Sequence, residues 1–209
     1  MGKTKDTRPS FRRFLDLDPY TLFKDSRTPC FVIDKKGLIH DGEILKKVQK
    51  NTGCKILLAQ KAFSNFNLYP LLENYVAGTE ASGLYEARLG KEEMPNKEVH
   101  VFSGAYREEE FDELLSYADH IVFNSVNQLR KFGKKAKEHG KSVGLRINPE
   151  CSTQVGHDIY NPCAPGSRLG VTLKNFKDQM DDELLSLLDG IHFHTLCQQN
   201  SDDLKTTLD

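Results

Sequence analysis

The 209-residue chain has no apolar run of about 18 residues, the length at which a segment begins to read as a membrane span. Its start, MGKTKDTRPS, also lacks the apolar stretch of a signal peptide, so a cytoplasmic address is expected. Neither charge sign dominates: 29 Lys plus Arg stand against 30 Asp plus Glu, so no global field draws the chain to nucleic acid or anionic lipid. No nucleic acid or membrane partner is therefore expected. Cys30, Cys54, Cys151, Cys163 and Cys197 are odd in number and widely spaced, which argues for reduced thiols rather than a disulfide framework. Gly83, Gly90 and Lys91 miss the spacing of an ATP-binding loop. Ser82 and Ser103 have no linked base that spacing identifies, so no serine triad emerges. Tandem repeats and low-complexity tracts are absent as well.

What is present is an alternation of short apolar runs with helical patterns. Residues 1–27 are charged and interrupted by Pro9 and Pro19, which predicts a polar, extended or short-helical lead-in before a packed domain over 28–209. CFVID, Cys30 to Asp34, reads as a short strand, and Leu38, Leu45 and Val48 mark a helix face after it. Six further strand signals follow: KILLA, VAGT, VHVF, HIVFN, SVGLRI and DGIHFH. Helical patterns separate most of them, with Leu84 to Leu89 in one, Phe111, Leu114 and Leu115 in the next, and Val126, Leu129, Phe132 and Ala136 in a third. Ser125 is placed to cap that third helix, with Gln128 reaching back to it. A long Pro, Gly, Cys and Asn-rich segment precedes a helix-like stretch from Met180 to Leu188, and KTTLD reads as an unfinished helix.

Repeated crossovers of this kind predict an α/β fold with a parallel sheet, either a closed barrel or an open layer. Periodicity does not separate the two. A closed barrel normally needs about 250 residues. A sixth barrel strand ending near His194 therefore implies either an open sheet or part of something larger.

Several residues are candidates for chemistry. Lys61 follows KILLAQ at a strand end, where an amine could form an imine with pyridoxal phosphate or another carbonyl; a lone lysine there is more commonly a solvated cap or ion-pair partner. His192 and His194 alternate with Ile191 and Phe193, so strand geometry puts both imidazoles on one face, for cofactor stacking or for ordinary core hydrogen bonds. Arg146 suits either an anion or a buried ion pair. Tyr106 and Arg107 are open between cleft wall and surface. GSRLG, with Arg168, offers an anion turn or simply a glycine-held loop. Zinc on Cys151, His157, Cys163, His192, His194 and Cys197 is disfavoured by the spacing, so no metal site is expected.

TPCFVID, LLAQKAFS, GTEASGLYE, FSGAYR, LRINPECSTQ, YNPCAPGSRLG and GIHFHTLCQQ occur in this order, and through them the chain from Thr28 onward resembles the carboxynorspermidine/carboxyspermidine decarboxylase family. The resemblance implies a pyridoxal-phosphate-dependent carboxy-lyase with an alanine-racemase-like TIM-type (β/α)8 barrel. It also implies that this chain is an N-terminal fragment without the late barrel strands, the later phosphate-binding glycines, the acidic partner of the pyridine nitrogen and a C-terminal β domain. Lys61 would be the Schiff-base lysine and His194 the ring-stacking imidazole. Thr79, Ser82, Glu86, Arg146 and Cys197 would lie around the cofactor, with Tyr160 and Arg168 toward the substrate.

The implied reaction is decarboxylation of carboxynorspermidine or carboxyspermidine to norspermidine or spermidine, by a homodimer in the full-length family. Two alternatives stand beside it. One is a non-catalytic or decayed pyridoxal-phosphate-binding fragment, and the other a decarboxylase of a different diamino acid.

Overall fold

The first helix begins where the chemistry of its cap dictates. Asp34 has extended backbone and its carboxylate accepts from the Lys36 N–H at 2.9 Å, opening α1, Lys35–Thr52. Gly53, at φ 74°, closes it with its N–H on Gln49 O. The computed structural model describes residues 24–154, 158–196 and 199–209, and these form two compact units.

Among the described residues the first unit comprises 24–56 together with 67–77, which includes the short helix α2, Tyr69–Leu72. The Gln49 side chain organises it: its Nε2 donates to Tyr75 O at 2.8 Å and its Oε1 accepts from Ile56 N–H at 2.9 Å. A Cβ on Gly42 would press into the Tyr75 ring, so glycine permits that approach. Cys30 to Asp34 is not a strand. It pairs with no strand among the described residues, and Phe31 and Val32 are exposed, because β-type residues make a strand only where a neighbouring strand supplies hydrogen bonds. The expected apolar face of α1 is not buried either: Gly37 and Gly42 are its buried positions and Val48 is exposed.

The second unit holds a six-stranded, wholly parallel sheet in sequence order: β1 Leu57–Ala59, β2 Gly78–Ala81, β3 Glu98–Phe102, β4 His120–Phe123, β5 Ser142–Arg146 and β6 Gly190–His192. Sequential parallel order is the signature of repeated crossovers. Helices α3 Leu84–Glu93, α4 Glu108–Tyr117 and α5 Val126–Glu138 fill the successive crossovers, and α6 Leu173–Gln179 and α7 Asp182–Leu187 share the last. Helix α8 spans Ser201–Leu208.

Period-two alternation divides the strand residues between two faces. Val99, Val101, Ile121, Phe123, Val143 and Leu145 are almost wholly buried, in one cluster with Phe111, Leu114 and Leu115 of α4 and Val126, Leu129, Phe132 and Ala136 of α5. Each such side chain contributes roughly 1.5–3 kcal/mol on burial. The other face carries Glu80, Glu98, His100, His120, Arg146 and His192, a polar set that the register brings side by side. Tyr106 belongs to the core: its ring meets Phe111, Phe123 and Phe132 edge-on, and its hydroxyl reaches Val122 O at 2.8 Å. Arg107 is at the surface, paired with Glu110.

Two local expectations are corrected. Ser125 Oγ does accept from Gln128 N–H at 3.2 Å, but the Gln128 carbonyl takes the Asn124 N–H at 2.8 Å, one residue further back than a standard box. The helix-like stretch after Met180 is interrupted before it starts. Met180 is extended and the Asp181 carboxylate accepts from Leu184 N–H, so α7 begins afresh.

Candidate active site

The site grows from the carboxyl ends of β1, β5 and β6. Beyond Ala59 the chain turns tightly, with the N–H groups of Ala62 and Phe63 both donating to Ala59 O. Gln60 anchors this turn: it is almost fully buried, its N–H donates to Glu80 O at 3.1 Å, and its Nε2 donates to Glu86 O at 2.8 Å. Lys61 therefore leaves a fixed base and reaches a cleft of about 290 Å³ lined also by Arg146, Tyr160, Pro162, His194 and Thr195.

Arg146 is 5% exposed and its guanidinium lies 4.7 Å over the Phe102 ring, while Nη2 donates to His194 O at 3.3 Å. No carboxylate pairs with it among the ion pairs of the described residues, so the buried-pair reading of Arg146 finds no partner there. Its positive charge instead faces the cleft it lines. Strand β6 ends at His192, so His192 and His194 do not share a strand. His192 stacks on Phe102 at 5.2 Å, and His194 follows the strand end to the exposed cleft wall.

The titratable groups report one shared field. Burial drives the His192 imidazole down to about 4, helped by Arg146, His194 and Lys61. Desolvation, then Lys61 and Arg146, also lowers the His194 pKa, which favours a neutral ring at the wall. Burial raises the Glu80 carboxyl to about 7 against the pull of Lys61, with Glu86 adding to the rise. Lys61, Glu80, Arg146, His192 and His194 therefore sense one another across the sheet end.

The remaining sequence candidates are distributed unevenly. Tyr160 is exposed and lines the cleft. Ser82 N–H donates to the Glu86 carboxylate at 2.7 Å, fixing both at the start of α3. Thr79 is wholly buried, with its hydroxyl against Gly90 of α3 on the helix side of the sheet, so it is not brought to Lys61. Arg168 is exposed and is not among the lining residues; its carbonyl accepts from Asn124 Nδ2 at 2.9 Å, while Gly170 N–H donates to Asn124 Oδ1 at 2.8 Å. The GSRLG turn is thus a loop held by Asn124 and by glycine at φ 83°. A Cβ at Gly170 would meet the Ile147 backbone. Cys197 and His157 lie outside the described residues.

Three contributors escaped the sequence reading. Glu80 and Phe102 were legible as period-two partners on the polar face, but nothing in sequence sets one strand's register against another. Thr195 is 2% exposed and its Oγ1 has no hydrogen-bond partner among the described residues, although it lines the cleft. An orphaned hydroxyl beside two cations suits an anionic group such as a phosphate. An amine, a neutral imidazole, a guanidinium and this hydroxyl form a donor set that fits pyridoxal phosphate.

Similarity to known proteins agrees with this geometry. No family model matches the chain. A carboxynorspermidine/carboxyspermidine decarboxylase of Campylobacter jejuni is 38% identical over 187 residues, covering 90% of this chain and 47% of that protein. A carboxyaminopropylagmatine decarboxylase of Synechocystis is 38% identical over 181 residues, covering 87% of this chain and 45% of that protein. The crystal structure of the C. jejuni carboxynorspermidine decarboxylase, complexed with norspermidine, superposes with a TM-score of 0.74 at 36% identity, over 87% of this chain and 45% of that one.

The parallel sheet in sequential order, with a lysine beyond its first strand, is a partial barrel of the fold class seen in the carboxynorspermidine and diaminopimelate decarboxylase structures. Within that class the chain's curated homologues are carboxynorspermidine/carboxyspermidine decarboxylases and a related carboxy-lyase. The chain spans about half the length of the relatives it matches.

Proposed function

We propose that this chain carries the cofactor-lysine half of a decarboxylase acting on a carboxylated polyamine, carboxynorspermidine or carboxyspermidine, with pyridoxal phosphate at the Lys61 cleft. The observation that carries the reading is the convergence of Lys61, Arg146, His194 and Thr195 on one cleft at the strand ends. Bound there, pyridoxal phosphate supplies an aldehyde for an amine to join and an electron sink for the pair left when a carboxylate departs as carbon dioxide.

The chain's residues would divide the work by their chemistry. Lys61 would offer the amine that holds the cofactor. His194 offers a neutral flat face for the pyridine ring. Arg146, held by Phe102 and the His194 carbonyl, and the unpartnered Thr195 hydroxyl offer donors to an anion. Tyr160 stands at the exposed edge, toward the substrate. The Ser82–Glu86 contact fixes the start of α3 and with it the Gln60 anchor beneath Lys61. The full-length protein would act as a homodimer in the cytoplasm. Among the described residues no helix is long and apolar enough to cross a membrane.

Borohydride reduction of the purified chain with saturating pyridoxal phosphate tests the reading. A single pyridoxyl adduct on the Lys61 peptide, lost in Lys61→Ala, is expected by mass spectrometry. A folded wild-type chain that is not labelled at Lys61 overturns it. Cofactor absorption with no carbon dioxide release would instead favour the non-catalytic binding fragment.

A further inference from the structure

On the polar face of the sheet, at the opposite end from the Lys61 cleft, one cluster takes no part in the proposed reaction. Glu98 opens β3, His100 follows two residues later on the same face, and His120 opens β4 directly across from His100 in the parallel register. A same-face step along one strand and a lateral step to the next thus bring three ligand-type side chains together. Their donor atoms all lie within 4.8 Å of one another. His100 Nε2 stands 3.1 Å and His120 Nε2 3.8 Å from the same Glu98 oxygen, Oε2, and the two imidazoles stack at 4.0 Å with 17° between their planes.

We infer that Glu98, His100 and His120 form a binding site for a divalent first-row transition ion of the Zn²⁺ type. The His–Glu distances suit it, although the shorter of them is a hydrogen bond in the absence of an ion. Tetrahedral ligands at about 2.0–2.1 Å from zinc are separated by about 3.3–3.4 Å, and the two His–Glu distances bracket that value. Two imidazoles and one carboxylate are the borderline donor set that suits Zn²⁺ and Co²⁺ and disfavours Mg²⁺ or Ca²⁺, which take oxygen ligands. Partial burial of all three side chains limits the water that competes with them.

The ion would join the starts of β3 and β4, where hydrogen bonding between the strands begins at His100 and His120. At that end of a parallel barrel, side chains serve stability rather than chemistry. The site therefore stands apart from the cofactor reading and does not depend on it. None of its residues belongs to the Cys and His set for which spacing disfavours zinc in the sequence.

The test uses the purified chain, stripped with a chelator and titrated with Co²⁺. One equivalent should bind with the visible d–d absorption of a low-coordinate, nitrogen-and-oxygen-ligated ion. Zn²⁺ should displace it, Mg²⁺ should not, and the metal should raise the melting temperature. His120→Asn and Glu98→Gln should each weaken binding by about 100-fold or more, beyond the usual cost of losing an outer-shell partner, while melting like wild type in chelator. Should a variant not fold, selective paramagnetic broadening of the His100 and His120 ring signals in wild type is the deciding result. Absence of saturable binding, binding that survives both substitutions, thiolate charge-transfer bands, or broadening centred elsewhere overturns the site.

Discussion

His192, which period-two alternation places on the polar face, takes its chemistry from its surroundings. Its ring lies on Phe102 with Nδ1 buried and without a hydrogen-bond partner among the described residues, and burial with the nearby cations takes it from 6.5 down to about 4. An imidazole whose folded pKa is depressed binds fewer protons than the unfolded chain between those values. Its contribution is intact above pH 6.5 and is lost as pH falls toward 4. Glu80 runs the other way, because a carboxyl raised to about 7 costs stability as pH rises from 4.5. The informative quantity is therefore the difference between wild type and His192→Phe, which keeps a ring against Phe102 but cannot titrate. Urea unfolding at pH 7 and pH 4.5 should show wild type losing on the order of 1–2 kcal/mol relative to the variant, after allowance for solvent screening. A difference that does not change with pH would contradict the burial argument.

At the level of elements, the segment after β5 is the clearest case of one residue holding another stretch in place. Asn124 is 8% exposed at the end of β4, and its amide closes on Arg168 O and Gly170 N–H, more than forty residues away. From there Val171 runs beside Ile147, with its N–H on Arg146 O and its carbonyl accepting from Asn148. Asn124→Ala removes both hydrogen bonds of this part-buried amide and should cost about 1–3 kcal/mol in denaturant unfolding. Limited proteolysis should then cut within 161–170 sooner than in wild type. Equal rates would show that the loop is held by something other than this amide. Serine, threonine and aspartate caps at Ser125, Thr172 and Asp181 set the helix starts in the same local way; the Ser125 start was legible in the sequence, whereas α6 was not named there. The Gln128 shift to Asn124 was not legible, since both partners sit within one turn of each other.

For the molecule as a whole, protection is expected to be uneven. The central strands are shielded on their helix-facing side by Phe111, Leu129 and Phe132, whereas α1 buries Gly37 and Gly42 and little else. Hydrogen exchange should be slowest at the amides of Val101, Ile121 and Val143 and markedly faster along α1, with opening free energies graded accordingly. Uniform exchange would mean that the two compact units unfold as one.

The amino-acid sequence by itself determined the presence of six strands that form the sheet, the buried stripe of α5, and a lysine two residues beyond the first of those strands, because pattern and caps are local properties of neighbouring residues. It also carried, in its ordered motifs, the likeness to the polyamine decarboxylases. Only the tertiary structure decided that Cys30 to Asp34 pairs with no strand among the described residues, that Thr79 turns to the helices, that Thr195 joins Lys61 and Arg146, and that Glu98, His100 and His120 converge. Those outcomes depend on the register between strands distant in the chain, and register is fixed by packing across the sheet, which one-dimensional periodicity does not encode.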